Sequence, residues 1–186
     1  MNYQSIIDKY YPAGTMCRGV FMQHALQVTD KAIKTAIDCH LDINLDDVRA
    51  AAMLHDIGIF LTNAPDIGCF GTEPYIKHGI LGAELLRKEG VNEAFARVAE
   101  RHTGAGITIG DIISQNLPLP HQDYCPESLL ERLVCYADKF FSKSGNMEEK
   151  SIEAIRRSMQ RHSDDTLSRW ISLESQFKKN QKETKV

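Results

Sequence analysis

A chain of 186 residues, 42% hydrophobic and 25% charged, fits one domain over residues 1–186 with a substantial buried core. Its net charge of -3 gives no basic footprint for a nucleic-acid polymer and directs attention to a small ligand. The five cysteines are odd in number and include no Cys-x-x-Cys pair, which argues against a disulfide framework or a thiolate zinc site and for reduced thiols in the cytoplasm.

Apolar residues recur at helical spacing along most of the chain, and period-two patterning is confined to Ile107–Ile113, so the class is all-α. No run approaches the roughly 20 apolar residues that span a bilayer, and residues 1–11 lack the apolar centre of a signal peptide. No membrane association is expected. In chain order, helices are expected at 2–10 and at 16–40, the second carrying His24 in line with Val20 and Val28. The capping side chains of Asn44–Asp47 open a helix at 46–58, with His55 in line with Val48, Ala51 and Ala52. A loop at 62–74, with two prolines and two glycines, leads to a helix at 76–89 that aligns His78 with Leu81, Gly82 and Leu85. Gly90 and Asn92 punctuate the boundary with a helix at 92–102, where His102 falls in line with Phe95, Val98 and Ala99. A second long loop, 103–125, precedes a helix at 126–143 that begins at Pro126 and aligns Asp138 with Leu130, Val134 and Phe141. A last amphipathic helix, 148–179, presents an apolar stripe from Ile152 to Phe177. It is expected to pack on the body, with a homodimer interface as the alternative. Residues 178–186 are expected to fray.

Five of these helices therefore point a histidine or an aspartate at the core. Burying an ionised carboxylate without a partner costs several kcal/mol, so Asp56 and Asp138 need cations, and imidazoles converging on two carboxylates are good metal ligands. Mixed nitrogen and oxygen donors suit Fe, Mn, Co, Ni or Zn, with Mg as a further candidate. A set of His24, His55, Asp56, His78, His102 and Asp138 exceeds the needs of one open site and argues for two divalent ions about 3.5 to 4 Å apart. The remaining histidines lie elsewhere: His40 near a helix end, His121 between prolines, and His162 in a charged helix. They are expected to be structural, although His121 reaches a substrate if its loop folds over the site.

His24, then Met53-Leu54-His55-Asp56-Ile57-Gly58, then His78, His102 and Ala137-Asp138 form an ordered set that resembles the signature of the HD superfamily over residues 20–143. The resemblance implies a helical bundle in which His24, His55, Asp56 and Asp138 hold a first metal. His78 and His102, with Asp56 bridging, hold a second. It also implies a phosphohydrolase that cleaves a phosphoester or phosphoanhydride bond of a small phosphorylated substrate, a nucleotide or dinucleotide, using metal-activated hydroxide. The Gly-Tyr-Pro signature of the HD-GYP phosphodiesterases is missing, and a ppGpp synthetase or hydrolase architecture needs more chain. Lys77-His78-Gly79 and His102-Thr103-Gly104 are similar to segments of diadenosine tetraphosphate hydrolases.

In that chemistry Asp56 and His55 stand at the catalytic centre. Charge gathering on the phosphoryl oxygens calls for cations, and Lys77 and Lys139 adjoin ligands; Arg18 and Thr103 are further substrate-binding candidates, while Arg101 reads as a solvated residue. Loops 61–75 and 103–125 would set specificity, with Phe70, Tyr75 and Tyr124 stacking on a base or packing the loops. Two other readings use the same residues: a di-iron oxygenase, and a non-catalytic nucleotide sensor.

Overall fold

The computed structural model describes residues 2–145 and 147–178. Among them the helices are α1 Tyr3–Tyr10, α2 Met16–Asp38, α3 Leu45–Leu54, α4 His78–Lys88, α5 Glu93–Arg101, α6 Ile109–Ser114, α7 Leu129–Asp138, α8 Ile152–His162 and α9 Asp164–Phe177. Phe21, Ala25, Val28 and Ala32 form the fully buried stripe of α2. Their spacing of three and four keeps them on one face, against which α3 and α7 pack; α4 lies along α5, and α8 along α9. The result is an all-α bundle with α2 at its centre.

Cap chemistry sets most boundaries. Asn44 closes the start of α3 by accepting hydrogen bonds from the Asp46 and Asp47 amides, at 2.8 and 3.2 Å. Because this helix delivers two candidate ligands, Asn44→Ala should lower unfolding free energy by about 1 kcal/mol in a denaturant titration, with the Met53 to Leu54 packing left in place. The expected helix at 46–58 ends earlier, at Leu54, because residues 55–58 leave the helix as a turn followed by a 3-10 turn at Ile59–Leu61. Tyr11 supports that turn from below, donating its hydroxyl to Ile57 O at 2.9 Å while its ring stacks on Phe21.

Both expected loops contain structure. Residues Asn63–Ala64 and Cys69–Phe70 form a two-stranded antiparallel hairpin, β1 and β2. It lies against the start of α2, where Cys17 and Cys69 approach to 2.9 Å as a thiol pair; all the cysteines are free. In the second loop Ile107 makes one bridge to Tyr124, and α6 follows, opened by a capping box between Thr108 and Asp111. The period-two patterning of 107–113 thus reflects one bridge residue and a short helix.

The expected C-terminal helix is two helices. Ser163 is extended, ends α8, and accepts from the Thr166 amide as the cap of α9. Their apolar faces pack on the body: Ile155, Met159, Trp170, Leu173 and Phe177 are buried, and Trp170 stacks on Tyr136 at 5.4 Å. Residues 179–186, most of the segment expected to fray, lie outside the described residues. Among the described residues no helix is long and apolar enough to cross a membrane.

Candidate metal centre

Five elements deliver the buried histidines and aspartates to one point. His24 projects from α2, His55 and Asp56 from the turn after α3, and Asp138 from the last position of α7. His78 opens α4, and His102 follows α5. All are between 0 and 6% exposed. Two devices bring the halves together. A Cβ at Gly79 would lie 2.7 Å from Ala99 O, so only glycine lets α4 approach α5 this closely. Arg97 of α5 holds Glu131 of α7 at 3.0 Å and Glu127 at 2.6 Å, which fixes the helix leading to His102 against the helix carrying Asp138.

The Asp56 carboxylate divides the cluster. Its Oδ2 lies 3.1 Å from His55 Nε2 and 3.2 Å from His24 Nε2, and His24 Nε2 also reaches Asp138 Oδ1 at 2.8 Å. Its Oδ1 faces the other side, 3.2 Å from His102 Nε2 and 3.4 Å from His78 Nε2. The donor atoms of His24, His55, Asp56 and Asp138 lie within 4.8 Å of one another, as do those of Asp56, His78 and His102.

Ring orientation is fixed from outside the cluster. The Nδ1 atoms of His55, His78 and His102 reach the carbonyls of Ala52, Tyr75 and Ala99 at 2.6, 2.7 and 2.8 Å. A carbonyl only accepts, so each Nδ1 carries a proton, and the neutral rings of His78 and His102 turn a lone pair inward through Nε2. Those lone pairs meet at 3.0 Å between His78 and His102, while His24 and His55 approach to 3.3 Å through their Nε2 atoms. Paired lone pairs at such distances repel unless a cation lies among them. The donor set therefore fits divalent metal, mixed nitrogen and oxygen ligands being suited to transition ions.

Protonation follows the same division. Burial drives His78 down to about 3 against the opposing pull of Asp56, so it is neutral and ready to ligate; burial also lowers His102. His55 is raised to about 9, since burial is outweighed by Asp56 and Asp138. A metal held by His55 would therefore displace a proton from it. Asp56 and Asp138 stay ionised despite burial, held low by Lys143 and His55 in one case and by Lys139 and His24 in the other.

A cavity of about 480 Å³ opens onto the cluster, lined among others by Tyr75, His78, His102, Thr103, Asp138 and Lys139. Of the expected substrate contacts, Lys139 lines it, with Nζ 2.6 Å from Asp138 Oδ2, and so does Thr103, whose Oγ1 lies 3.5 Å from His78 Nε2. Arg18 does not: its guanidinium is committed to Asp8 at 2.5 Å and to Tyr11 O at 2.6 Å, tying α2 to α1. Lys77 is likewise outside the lining, paired with Glu73 at 2.7 Å. Arg101 binds Glu127 and Cys125 O. Of the aromatics, Tyr75 stacks on His78 at 4.8 Å, Phe70 is 79% exposed, and Tyr124 is buried. Three cavity residues escaped the sequence reading: Lys143, Lys150 and His162. Lys143 is the most intimate, its Nζ 2.6 Å from Asp56 Oδ2. His121 is exposed and does not line the cavity, nor does His40.

The model of the HD domain matches residues 21–143, which contain every one of these candidate ligands. The chain belongs to the HD domain family. HD domains form a superfamily of metal-dependent phosphohydrolases. Among curated relatives, an uncharacterized protein of Methanocaldococcus jannaschii is 35% identical over 72% of this chain and 73% of its own. Two proteins named tRNA (cytidine(56)-2'-O)-methyltransferase also match. That of Picrophilus torridus is 35% identical over 76% of this chain and 40% of its own, and that of Thermoplasma volcanium 32% identical over 75% and 36%. This HD chain thus spans two fifths or less of each methyltransferase. No solved structure matches it.

Proposed function

We propose that the chain is a phosphohydrolase with two divalent ions, acting on a small phosphorylated substrate such as a nucleotide. One ion would be held by His24, His55, Asp56 and Asp138, and the other by Asp56, His78 and His102. The observation that carries this reading is the Asp56 carboxylate, whose two oxygens face different imidazole pairs. Bound ions would supply Lewis acidity and a nucleophilic water near neutral pH. The protein's own part is positional and electrostatic. The carbonyls behind His55, His78 and His102 hold the rings in the ligating tautomer. Lys139 and Lys143 offer positive charge to phosphoryl oxygens as they gain negative charge, and Thr103 offers a hydroxyl beside His78. Burial of the cluster strengthens each of these interactions.

Methyl transfer, the activity named for two relatives, is supported by nothing in this donor set, and those chains extend well beyond the shared segment. An oxygenase would use the same ligands, but the lysines of the cavity favour an anionic substrate.

The test is elemental analysis of the purified protein, together with phosphate release from nucleotides and dinucleotides in Mn, Co, Fe or Mg. Parallel arms measure oxygen consumption and S-adenosylmethionine-dependent methylation of tRNA. The expected result is about two ions per chain with phosphate release; no metal and no turnover would remove the reading. His78→Ala should drop the content by one ion and remove most of the activity. Unchanged stoichiometry in that variant would leave a one-ion site.

A further inference from the structure

Beside the metal ligands, the segment between α7 and α8 places Lys139, Lys143 and Lys150 at one cavity. Two of these ammonium groups have carboxylate neighbours, Asp138 at 2.6 Å from Lys139 and Asp56 at 2.6 Å from Lys143. Both carboxylates belong to the candidate metal cluster, so any cation held there competes with the lysines for the same negative charge. Lys150 is different. Among the described residues its Nζ reaches the carbonyl of Phe141 at 3.3 Å and no carboxylate, while its backbone amide is pinned to Phe140 O at 2.8 Å. Burial and the charges of Lys139 and Lys143, opposed by that of Asp138, push its pKa down. Ser142, Ser158 and His162 line the same cavity.

A row of like charges half withdrawn from water is costly unless an anion joins it. The phosphoryl group attacked at the metal cluster would engage Lys139 and share Lys143 with its neighbour. Lys150, whose Nζ meets no carboxylate among the described residues, is left for that further anion.

We propose that Lys143 and Lys150, with the Ser158 hydroxyl, form a subsite for a second phosphoryl group, so that the substrate carries a chain of at least two phosphoryls. This rests on the phosphohydrolase reading for the identity of the first group, but the subsite itself can be measured without turnover.

The probes are inorganic tripolyphosphate and orthophosphate, titrated calorimetrically into protein kept metal-free with a chelator. Tripolyphosphate should bind the wild type at least about tenfold more tightly than orthophosphate does. Lys150→Met should lose about tenfold or more of the tripolyphosphate affinity, the worth of one charge-assisted hydrogen bond, and Lys150→Arg should recover it. Lys34→Met, on the exposed side of α2 and paired with Asp38, should behave as wild type. Equal binding of the two anions, or tripolyphosphate binding unchanged in Lys150→Met, would overturn the subsite. Phosphate release from a nucleoside monophosphate and a nucleoside triphosphate, measured alongside with metal, separates the two ideas. Release from the monophosphate alone, with unchanged binding in Lys150→Met, overturns the subsite and leaves hydrolysis standing. Release from neither, with binding lost in Lys150→Met, upholds the subsite and removes hydrolysis.

Discussion

Asp56→Ala is expected to abolish metal retention and turnover together. Among the described residues Asp56 is shared by both groups of candidate ligands: Oδ2 lies within 3.1 to 3.2 Å of the His24 and His55 rings, and Oδ1 within 3.2 to 3.4 Å of His78 and His102. Its removal leaves four imidazoles around a space whose nearest anion is Asp138, which touches only the first half. Imidazoles are neutral ligands, and without a shared anion they do not balance two divalent charges. Metal-ion catalysis contributes several kcal/mol of charge stabilisation; losing about 4 kcal/mol slows turnover by about a thousandfold. Asp56→Asn keeps the shape and removes the charge, so it should fail in the same way. A second readout does not depend on activity. Metal that binds only the folded state raises its thermal stability, so added Mn or Zn should raise the melting temperature of the wild type and leave that of Asp56→Ala where it was. If Asp56→Ala kept both ions, the bridging role would be lost.

The cluster of buried histidines and aspartates was legible in the sequence because burial of polar groups leaves a pattern. His24, His78, His102 and Asp138 each fall on the apolar stripe of an amphipathic helix, and the structure buries all of them. What was not legible follows from tertiary placement. Lys143 and Lys150 fall inside the helices expected at 126–143 and 148–179, but α7 ends at Asp138 and α8 begins at Ile152, so no helical face places them, and the approach of Lys143 to Asp56 is a tertiary contact. His162 looked like a member of a charged helix face, which it is; that face happens to border the cavity. Adjacency in sequence misled for Lys77 and Arg18. Lys77, in the turn before α4, pairs with Glu73, and Arg18, six positions before His24, pairs with Asp8. Other signals were present but unread. Thr108 and Asp111 have capping-box spacing and mark the start of α6 inside an expected loop. Ser163 before Asp164 and Asp165 is an N-cap followed by acidic first-turn residues, and it divides the last helix in two.

Gly58→Ala should separate the two halves of the centre while leaving the bundle folded. A Cβ at this position would lie 2.3 Å from His78 O, 2.5 Å from Gly82 N and 2.9 Å from Gly82 Cα. All are backbone atoms of α4, so no side-chain rotation relieves the contact. Carbon contacts need about 3.5 Å, and α4 must retreat from the turn after α3 by roughly 1 Å. The backbone that retreats is that of His78, whose Nε2 is already 3.4 Å from Asp56 Oδ1. The first half of the cluster, built by His24, His55 and Asp138, does not depend on this contact. Metal content should therefore fall from about two ions to about one, and turnover by about a hundredfold, the usual effect of a misplacement of roughly 1 Å. Overpacking also costs about 1 to 3 kcal/mol of stability, so the assay must be run below the variant's melting temperature. Gly19→Ala is the matched control: it lies in α2, and a Cβ there meets nothing within 4 Å. It should gain up to about 1 kcal/mol from helix propensity and keep both ions. If Gly58→Ala, still folded, kept wild-type metal content and rate, then the close approach of α4 would serve packing alone, and the spacing of His78 from Asp56 would have to be held by the α4–α5 contact at Gly79.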